Sequence, residues 1–317
     1  MSNSNENYLL EVKHLCQSFT SGRGRKKMTV KAVDDVSFGI HPAETFGLVG
    51  ESGCGKTTTG RSIIRLYDPT SGQVFFDGQE ITGPMTREKR KFLTNNIAMI
   101  FQDPIESLNP RMTIGEIVGE GLTLRGIKDK EEVRRQVIEM LRKVGLTAEH
   151  ATRYPHEFSG GQRQRVGIAR AMIIKPRMII ADEPVSALDV SIQAQVINLL
   201  NDLKDEMGLT ILFIAHNLSV VKYFSDRIGV MYFGKMVEIA RSEDLYAHPM
   251  HPYTRALLSA IPEPNPLTER KRVRTDYVPE RDHDYSVEKP SMVEIEPEHF
   301  VYCSPSEADA LRKKFGL

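Results

Sequence analysis

The sequence predicts an α/β fold: a parallel-sheet core, an N-terminal antiparallel β subdomain, a helical subdomain and a C-terminal extension. Three observations predict it. The apolar run "TFGLVG" (45–50) feeds directly into a glycine loop, as a buried parallel strand does before a helix. Further on, "RMIIADEP" (177–184) and "TILFIAHN" (210–217) are apolar runs that end in polar residues. Between them Ile192, Val196, Leu199, Leu200 and Leu203 recur at helical spacing and Gly208 closes the segment, which makes a βαβ unit.

The other elements follow in order. The first hundred residues read mostly as strands: "VKAVDDVSFGI" (30–40) and "QVFFDGQEI" (73–81) are short β-rich runs, and Asp77-Gly78 is a hairpin signal. In "KDKEEVRRQVIEMLRKVG" (128–145), Val133, Val137, Leu141 and Val144 share a helical face and Gly145 stands at the C-cap. The composition changes after about residue 245. "HPYTRALLSAIPEPNP" (251–266) is a short helix candidate that Pro252 can start, followed by alternating prolines that act as a stiff linker. Seven acids lie within 280–298, and "SEADALRKKF" near the end reads as helix. No repeat with a period of 20–50 residues is present. The expected division is 1–245 for the main domain, with its helical subdomain at about 103–157, and 246–317 for the extension.

Composition narrows the class. Of 317 residues, 40% are apolar and 26% charged, the profile of a globular protein with material for a core. Lys plus Arg number 42 and Asp plus Glu 42. That balance argues against a nucleic-acid partner, which favours a basic chain. The start, "MSNSNENY", is polar, so no signal peptide is expected. No run of 18 apolar residues exists to span a bilayer, so any membrane role is peripheral. Cys16, Cys54 and Cys303 are odd in number and far apart. They read as reduced thiols, with neither a disulfide frame nor zinc spacing.

Two stretches look built to hold phosphate. Gly50-Glu51-Ser52-Gly53-Cys54-Gly55-Lys56-Thr57 matches G-x-x-x-x-G-K-[ST] in full, after a strand and before a helix that continues with Thr58. The match predicts a P-loop NTPase core, in which backbone N–H groups would close around phosphate oxygens and the helix N-terminus would add positive potential. Lys56 would reach the β- and γ-phosphates, and the Thr57 hydroxyl would bind Mg²⁺. Cys54 is open to two readings: a thiol activated at a helix start, or a small side chain that fits a tight loop. "MIIADEP" places Asp182 and Glu183 at the C-terminal edge of a parallel strand. Asp182 would hold Mg²⁺, directly or through water, and Glu183 would orient or deprotonate an attacking water.

The second stretch is "FSGGQ" (158–162). Ser159 can cap a helix and offer a hydroxyl to a phosphate, Gly160 and Gly161 allow close approach, and Gln162 opens the helix. Val166, Ala169, Met172 and Ile173 bury one face until Pro176 ends it. An ordinary capped helix explains Ser159, but not two consecutive glycines at a cost in helix propensity.

With both stretches placed, "FSGGQ" between Gly50–Thr57 and Asp182–Glu183 resembles the signature motif of ATP-binding cassette (ABC) ATPases, over roughly residues 8–245. The resemblance implies ATP and Mg²⁺ as ligands. It implies head-to-tail pairs, in which the signature of one subunit completes the nucleotide site of the other. Gln102 in "IFQDP" then resembles the glutamine that links the Mg²⁺ site to the helical subdomain. Asp189 in "SALD" resembles the acid near the subunit interface, and His216 in "IAHN" the histidine on the γ-phosphate. Phe19 in "SFT" is either the aromatic that stacks on adenine or a core phenylalanine at a strand end.

"VKAVDDVSFGI", "IFQDPIESLNPRMT" and "HPYTRALL" (251–258) narrow the resemblance to the F-type ATPase subunits of oligopeptide and dipeptide importers, a group that also includes nickel importers. This implies a second, related ATPase as heterodimer partner, two membrane permease subunits and an extracytoplasmic peptide-binding protein. It implies a peripheral position on the cytoplasmic side of a bacterial membrane, with 103–157 docking on the permeases. Some relatives hold an iron–sulfur centre with C-terminal cysteines. Only Cys303 lies in that region here, so no cluster is expected. The basic tip "GRGRKK" (22–27) reads as a phosphate or lipid contact or as a solvated loop. A chromosome-organising ATPase would need a long heptad insertion, a cassette translation factor two cassettes, and a kinase or GTPase no "SGGQ". The runner-up is a cassette of a nickel or other solute importer, of an exporter, or with a regulatory role.

Overall fold

The structure, a computed structural model, describes residues 7–22, 28–261 and 274–316. Most of the basic tip and the prolines of 262–266 lie outside those residues. The chain forms two compact units. The loop unit holds Tyr8–Ile40, Glu44–Thr82 and Ile214–Leu317, and the helical unit is mainly Gly83–Phe213.

The loop unit begins with β1 (Leu10–Ser21) and β2 (Met28–Ile40), antiparallel with Leu10 opposite Ile40 and Phe19 opposite Val30. Next come β3 (Thr45–Val49) and α1 (Lys56–Ile63). Then β4 (Ser71–Phe76) pairs antiparallel with β1 and turns into β5 (Gln79–Glu80). The turn residues Asp77 and Gly78 have φ of 51° and 74°, the twist that suits a two-residue hairpin. Leu10, Val12, Leu15, Val33, Val36, Val74 and Phe76 are buried along this sheet, whose order is β2-β1-β4-β5.

The helical unit begins with α2 (Arg87–Asn96), where Thr86 caps by accepting the Lys89 N–H, and runs into β6 (Ile97–Ile100). The sequence pattern gives no helix here: Leu93 is the one buried residue of α2, too little for a period to show. The expected helical region contains α3 (Pro104–Ser107), α4 (Ile114–Leu124) and α5 (Lys130–Lys143). Thr113 and Glu116 close a capping box on α4. Val137, Met140 and Leu141 bury the inner face of α5, and the chain leaves through Gly145 at φ 75°. The sequence-predicted βαβ unit follows α6 (Gly160–Met172) as β7 (Met178–Asp182), α7 (Val190–Met207) and β8 (Thr210–Ala215). β6 pairs parallel with β7 from Ile97 opposite Met178 to Ile100 opposite Ala181, and β8 lies beside β7. All of β7 is buried, which is why it reads as one apolar run.

The chain then completes the loop unit with α8 (Leu218–Phe224), β9 (Arg227–Tyr232), β10 (Lys235–Arg241) and α9 (Ser242–Ala247). α10 (Pro252–Ser259), α11 (Pro279–Asp282), β11 (Ser291–Glu296), β12 (His299–Cys303) and α12 (Pro305–Phe315) finish it. β3 pairs parallel with β9; β9 with β10, β10 with β12 and β12 with β11 are antiparallel. Residue 245 falls inside α9, and β12 extends the sheet of β10, so the C-terminal segment continues the sheet that carries β3. It also has a small core of its own: Met250, Ile295, Val301, Cys303 and Ala308, with Leu311 and Phe315 packed on it.

Candidate functional site

In the loop unit, β3 delivers the chain to Gly50. Gly50, Gly53 and Gly55 have φ of 149°, 82° and 106°, a region that L side chains rarely adopt. A Cβ on Gly50 would lie 2.2 Å from the Met231 carbonyl oxygen, and one on Gly55 2.2 Å from that of Ala32. The loop is therefore packed backbone against backbone, and only glycine fits at these two positions. Gly55 is the N-cap of α1 and supplies no side-chain cap, and the positive end of the α1 dipole at Lys56 favours an anion there. The Gly234 N–H fixes the far side of the loop by donating to the Cys54 carbonyl at 2.9 Å.

Lys56 is only 4% exposed, and its Nζ donates to the carbonyls of Gly50 at 2.7 Å and Glu51 at 2.9 Å. Cys54 is buried and burial pushes its thiol up. Burial outweighs Lys56, whose Nζ lies 3.7 Å from the sulfur, and this favours the reading of a small side chain in a tight loop. Ser52 and Gly53 are exposed, while Thr57 and Thr58 are half-buried. His216 stands exposed just past β8. With Glu51, Tyr232, Tyr253 and Tyr277 it lines a cavity of about 740 Å³. Phe19, near the end of β1, is 41% exposed with its ring edge-on to Tyr67 at 5.2 Å. It is a surface aromatic and not a core residue.

The helical unit carries the carboxylates. Asp182 ends β7 fully buried, and Glu183 follows with φ 44°. A left-handed non-glycine residue costs about 1–3 kcal/mol and persists where its surroundings over-determine it. Here the Glu183 carbonyl accepts the Ser186 N–H at 3.2 Å and the Ser186 hydroxyl at 3.1 Å. The turn re-aims the Glu183 side chain, and Gln102 Nε2 donates to its Oε2 at 3.2 Å. Gln102 and Glu183, 81 residues apart, thus meet.

In the same unit Ser159 caps α6. Its hydroxyl accepts the Gln162 N–H at 3.3 Å, and Gln162 Oε1 accepts the Ser159 N–H at 3.0 Å. This capping box takes two of the end amides, leaving those of Gly160 and Gly161 for a ligand. Ser159 and Gly160 are exposed, and Gly161 and Gln162 half-buried. Val166, Ala169, Met172 and Ile173 are buried, as their spacing predicts. Asp189 is exposed at the N-cap of α7, and its side chain makes no cap bond there.

Sequence reasoning missed two features. One is the left-handed turn at Glu183. The other is the contact of the phosphate loop with "HPYT": the Tyr253 hydroxyl accepts the Glu51 N–H at 3.2 Å, across 202 residues. No local signal marks either.

Comparisons with known proteins bear on this arrangement. A family model described as ABC transporter matches residues 33–186, and one described as Oligopeptide/dipeptide transporter, C-terminal region, matches residues 237–285. The Oligopeptide transport ATP-binding protein OppF of Bacillus subtilis is 58% identical, covering 95% of this chain and 98% of that relative. The Dipeptide transport ATP-binding protein DppF of Lactococcus lactis subsp. cremoris is 52% identical, with 98% of each covered. Among solved structures, a dimeric post-hydrolysis state of the ATP-binding cassette MJ0796 bound to ADP and Pi matches with a TM-score of 0.67. It is 30% identical, over 74% of this chain and 98% of that one.

Proposed function

We propose that this chain, which belongs to the ABC transporter family and is one of its ATP-hydrolysing cassettes, powers the import of oligopeptides or dipeptides through membrane permeases. The observation that carries the substrate class is the near full-length likeness to relatives named for oligopeptide and dipeptide transport, C-terminal region included. The cassette would lie on the cytoplasmic face of a bacterial membrane, paired with a second, related ATPase and with two permease subunits. An extracytoplasmic binding protein would deliver the peptide. No helix among the described residues is long and apolar enough to cross a membrane, which is compatible with a peripheral place.

The roles follow from the side chains. The amides of the Gly50–Gly55 loop and of α1 would wrap the phosphates, Lys56 would neutralise them, and Phe19 would stack on the base. In the loop unit Thr57 offers a hydroxyl, and in the helical unit Asp182 and Gln102 offer a carboxylate and an amide oxygen, each an oxygen donor of the kind Mg²⁺ takes. The ion, when bound with the nucleotide, would neutralise charge on the phosphates. Glu183 would position and deprotonate the attacking water, with Gln102 holding its carboxylate. His216 would sense the γ-phosphate. Ser159, Gly160 and Gly161 would meet the γ-phosphate of a partner's nucleotide, and Asp189 would face that partner.

The test is transport. The complex with its permeases, reconstituted in vesicles, is expected to take up di- and oligopeptides only with ATP. Uptake of nickel or another solute in their place would move the chain to that class. Gln102→Ala should bind ATP yet uncouple hydrolysis from uptake; unaffected uptake would remove Gln102 from the linking role.

A further inference from the structure

The C-terminal segment reaches the phosphate loop through the Tyr253 hydroxyl. We propose that Tyr253 is a positioning residue for ATP binding: it fixes the Gly50–Glu51 peptide on which Lys56 rests. This deepens the reading of the loop as the ATP phosphate site and rests on it.

One peptide plane is held from both ends. Its N–H, that of Glu51, donates to the Tyr253 hydroxyl at 3.2 Å, and its carbonyl, that of Gly50, accepts Lys56 Nζ at 2.7 Å. Tyr253 is 3% exposed, so its hydroxyl needs a protein partner. The ring is wedged against Tyr232 at 4.5 Å and Tyr277 at 5.5 Å. Its backbone is held as firmly: the Tyr253 N–H donates to His251 Nδ1 at 3.1 Å. The Met250 and His251 N–H groups donate to the buried Glu238 carboxylate at 2.7 and 3.0 Å. Glu238 also bonds His299 Nε2 at 2.8 Å. A chain of bonds thus runs from β12 through β10 and α10 to the loop. A tyrosine kept only for packing would not need its hydroxyl on that amide.

Three variants in the assembled complex test this. Tyr253→Phe keeps the ring and removes the acceptor. It should raise the KM for ATP about fivefold, with kcat within about twofold, the scale of one hydrogen bond. Amide exchange over residues 50–56 should quicken in the same variant. Tyr277→Phe, which takes a hydroxyl from the same ring cluster, should change neither. Lys56→Ala should abolish binding of a fluorescent ATP analogue. If Lys56→Ala binds normally, the phosphate-loop reading fails and takes the proposal with it. If Lys56→Ala loses binding while Tyr253→Phe leaves KM and exchange unchanged, or Tyr277→Phe matches it, Tyr253 has no positioning role and the loop reading stands.

Discussion

Among the described residues two helices have glycines at their starts, α1 with its N-cap Gly55 and α6 with Gly160 and Gly161, and they use them in different ways. At α1 the glycines are demanded by the backbone: φ is positive at Gly50, Gly53 and Gly55, and at Gly50 and Gly55 a Cβ would strike a carbonyl oxygen. At α6 a Cβ on Gly160 would meet Leu188 at 3.7 Å, an ordinary contact, while one on Gly161 would strike the Cγ2 methyl of the β-branched Ile192 at 2.7 Å, a side chain and not a backbone carbonyl. α1 has no side-chain cap and is closed in by its own loop and Lys56. α6 has a complete capping box and stands open. The first is a cradle that the fold itself defines. The second is a finished helix end: Gly161 makes room for Ile192, and Gly160 alone has no steric reason in the fold, as the proposed site shared with a partner requires.

The largest expected effect separates the grip from the chemistry. Glu183→Gln should lower ATP hydrolysis about 10²–10⁴-fold while fluorescent ATP still binds, and it should accumulate an ATP-bound dimer on size-exclusion chromatography. Unchanged turnover would take Glu183 out of the base role. Next is Gly55→Ala. Its methyl must enter the 2.2 Å gap to the Ala32 carbonyl at φ 106°. Strain plus overpacking should cost about 3 kcal/mol in denaturant unfolding. A cost near zero would mean that the cradle adapts, and the contrast with α6 would vanish.

The two helix starts differ too in how much of them the sequence discloses. Both motifs are contiguous, and so are β3, β7 and the α5 to α7 faces, because local spacing writes buried strands and helical stripes directly. Gly50 and Gly161 nevertheless look alike in one dimension; φ and the nearest carbonyl tell them apart. α2 is silent for want of a buried face. The pairing of Gln102 with Glu183, the Tyr253 bond to Glu51 and the Glu238 anchor join residues 81, 202 and up to 61 positions apart. Such contacts depend on tertiary packing, which no window of residues encodes. The boundary expected at 245 rests on a change of composition, and composition cannot register that β12 adds a strand to β10.

A smaller effect probes what stands behind α1. Burial, with His283 and Arg255 nearby, brings His251 down from 6.5 to about 3. Folded His251 therefore stays neutral where the unfolded chain takes up a proton. Its contribution is present in full above pH 6.5 and is lost as pH falls from 6.5 toward 3. The loss at pH 5 should be about 2 kcal/mol. Urea unfolding at pH 7 and pH 5 measures it. His251→Asn, which can still cap α10, should flatten that difference; a profile as steep as the wild type's would put the titration elsewhere.

The smallest effect on stability is the most informative about α6. Gly160→Ala places a methyl in ordinary contact at a φ that is not left-handed. Replacing glycine in a helix should raise stability by up to about 1 kcal/mol. The same methyl stands beside the amide that a partner's γ-phosphate would approach, so nucleotide-dependent dimerisation in the Glu183→Gln background should fall. Gain of stability with loss of dimer is the signature of a glycine kept for a ligand. Loss of stability would make Gly160 a folding residue like Gly55, and unchanged dimerisation would leave the open end of α6 without the role assigned to it.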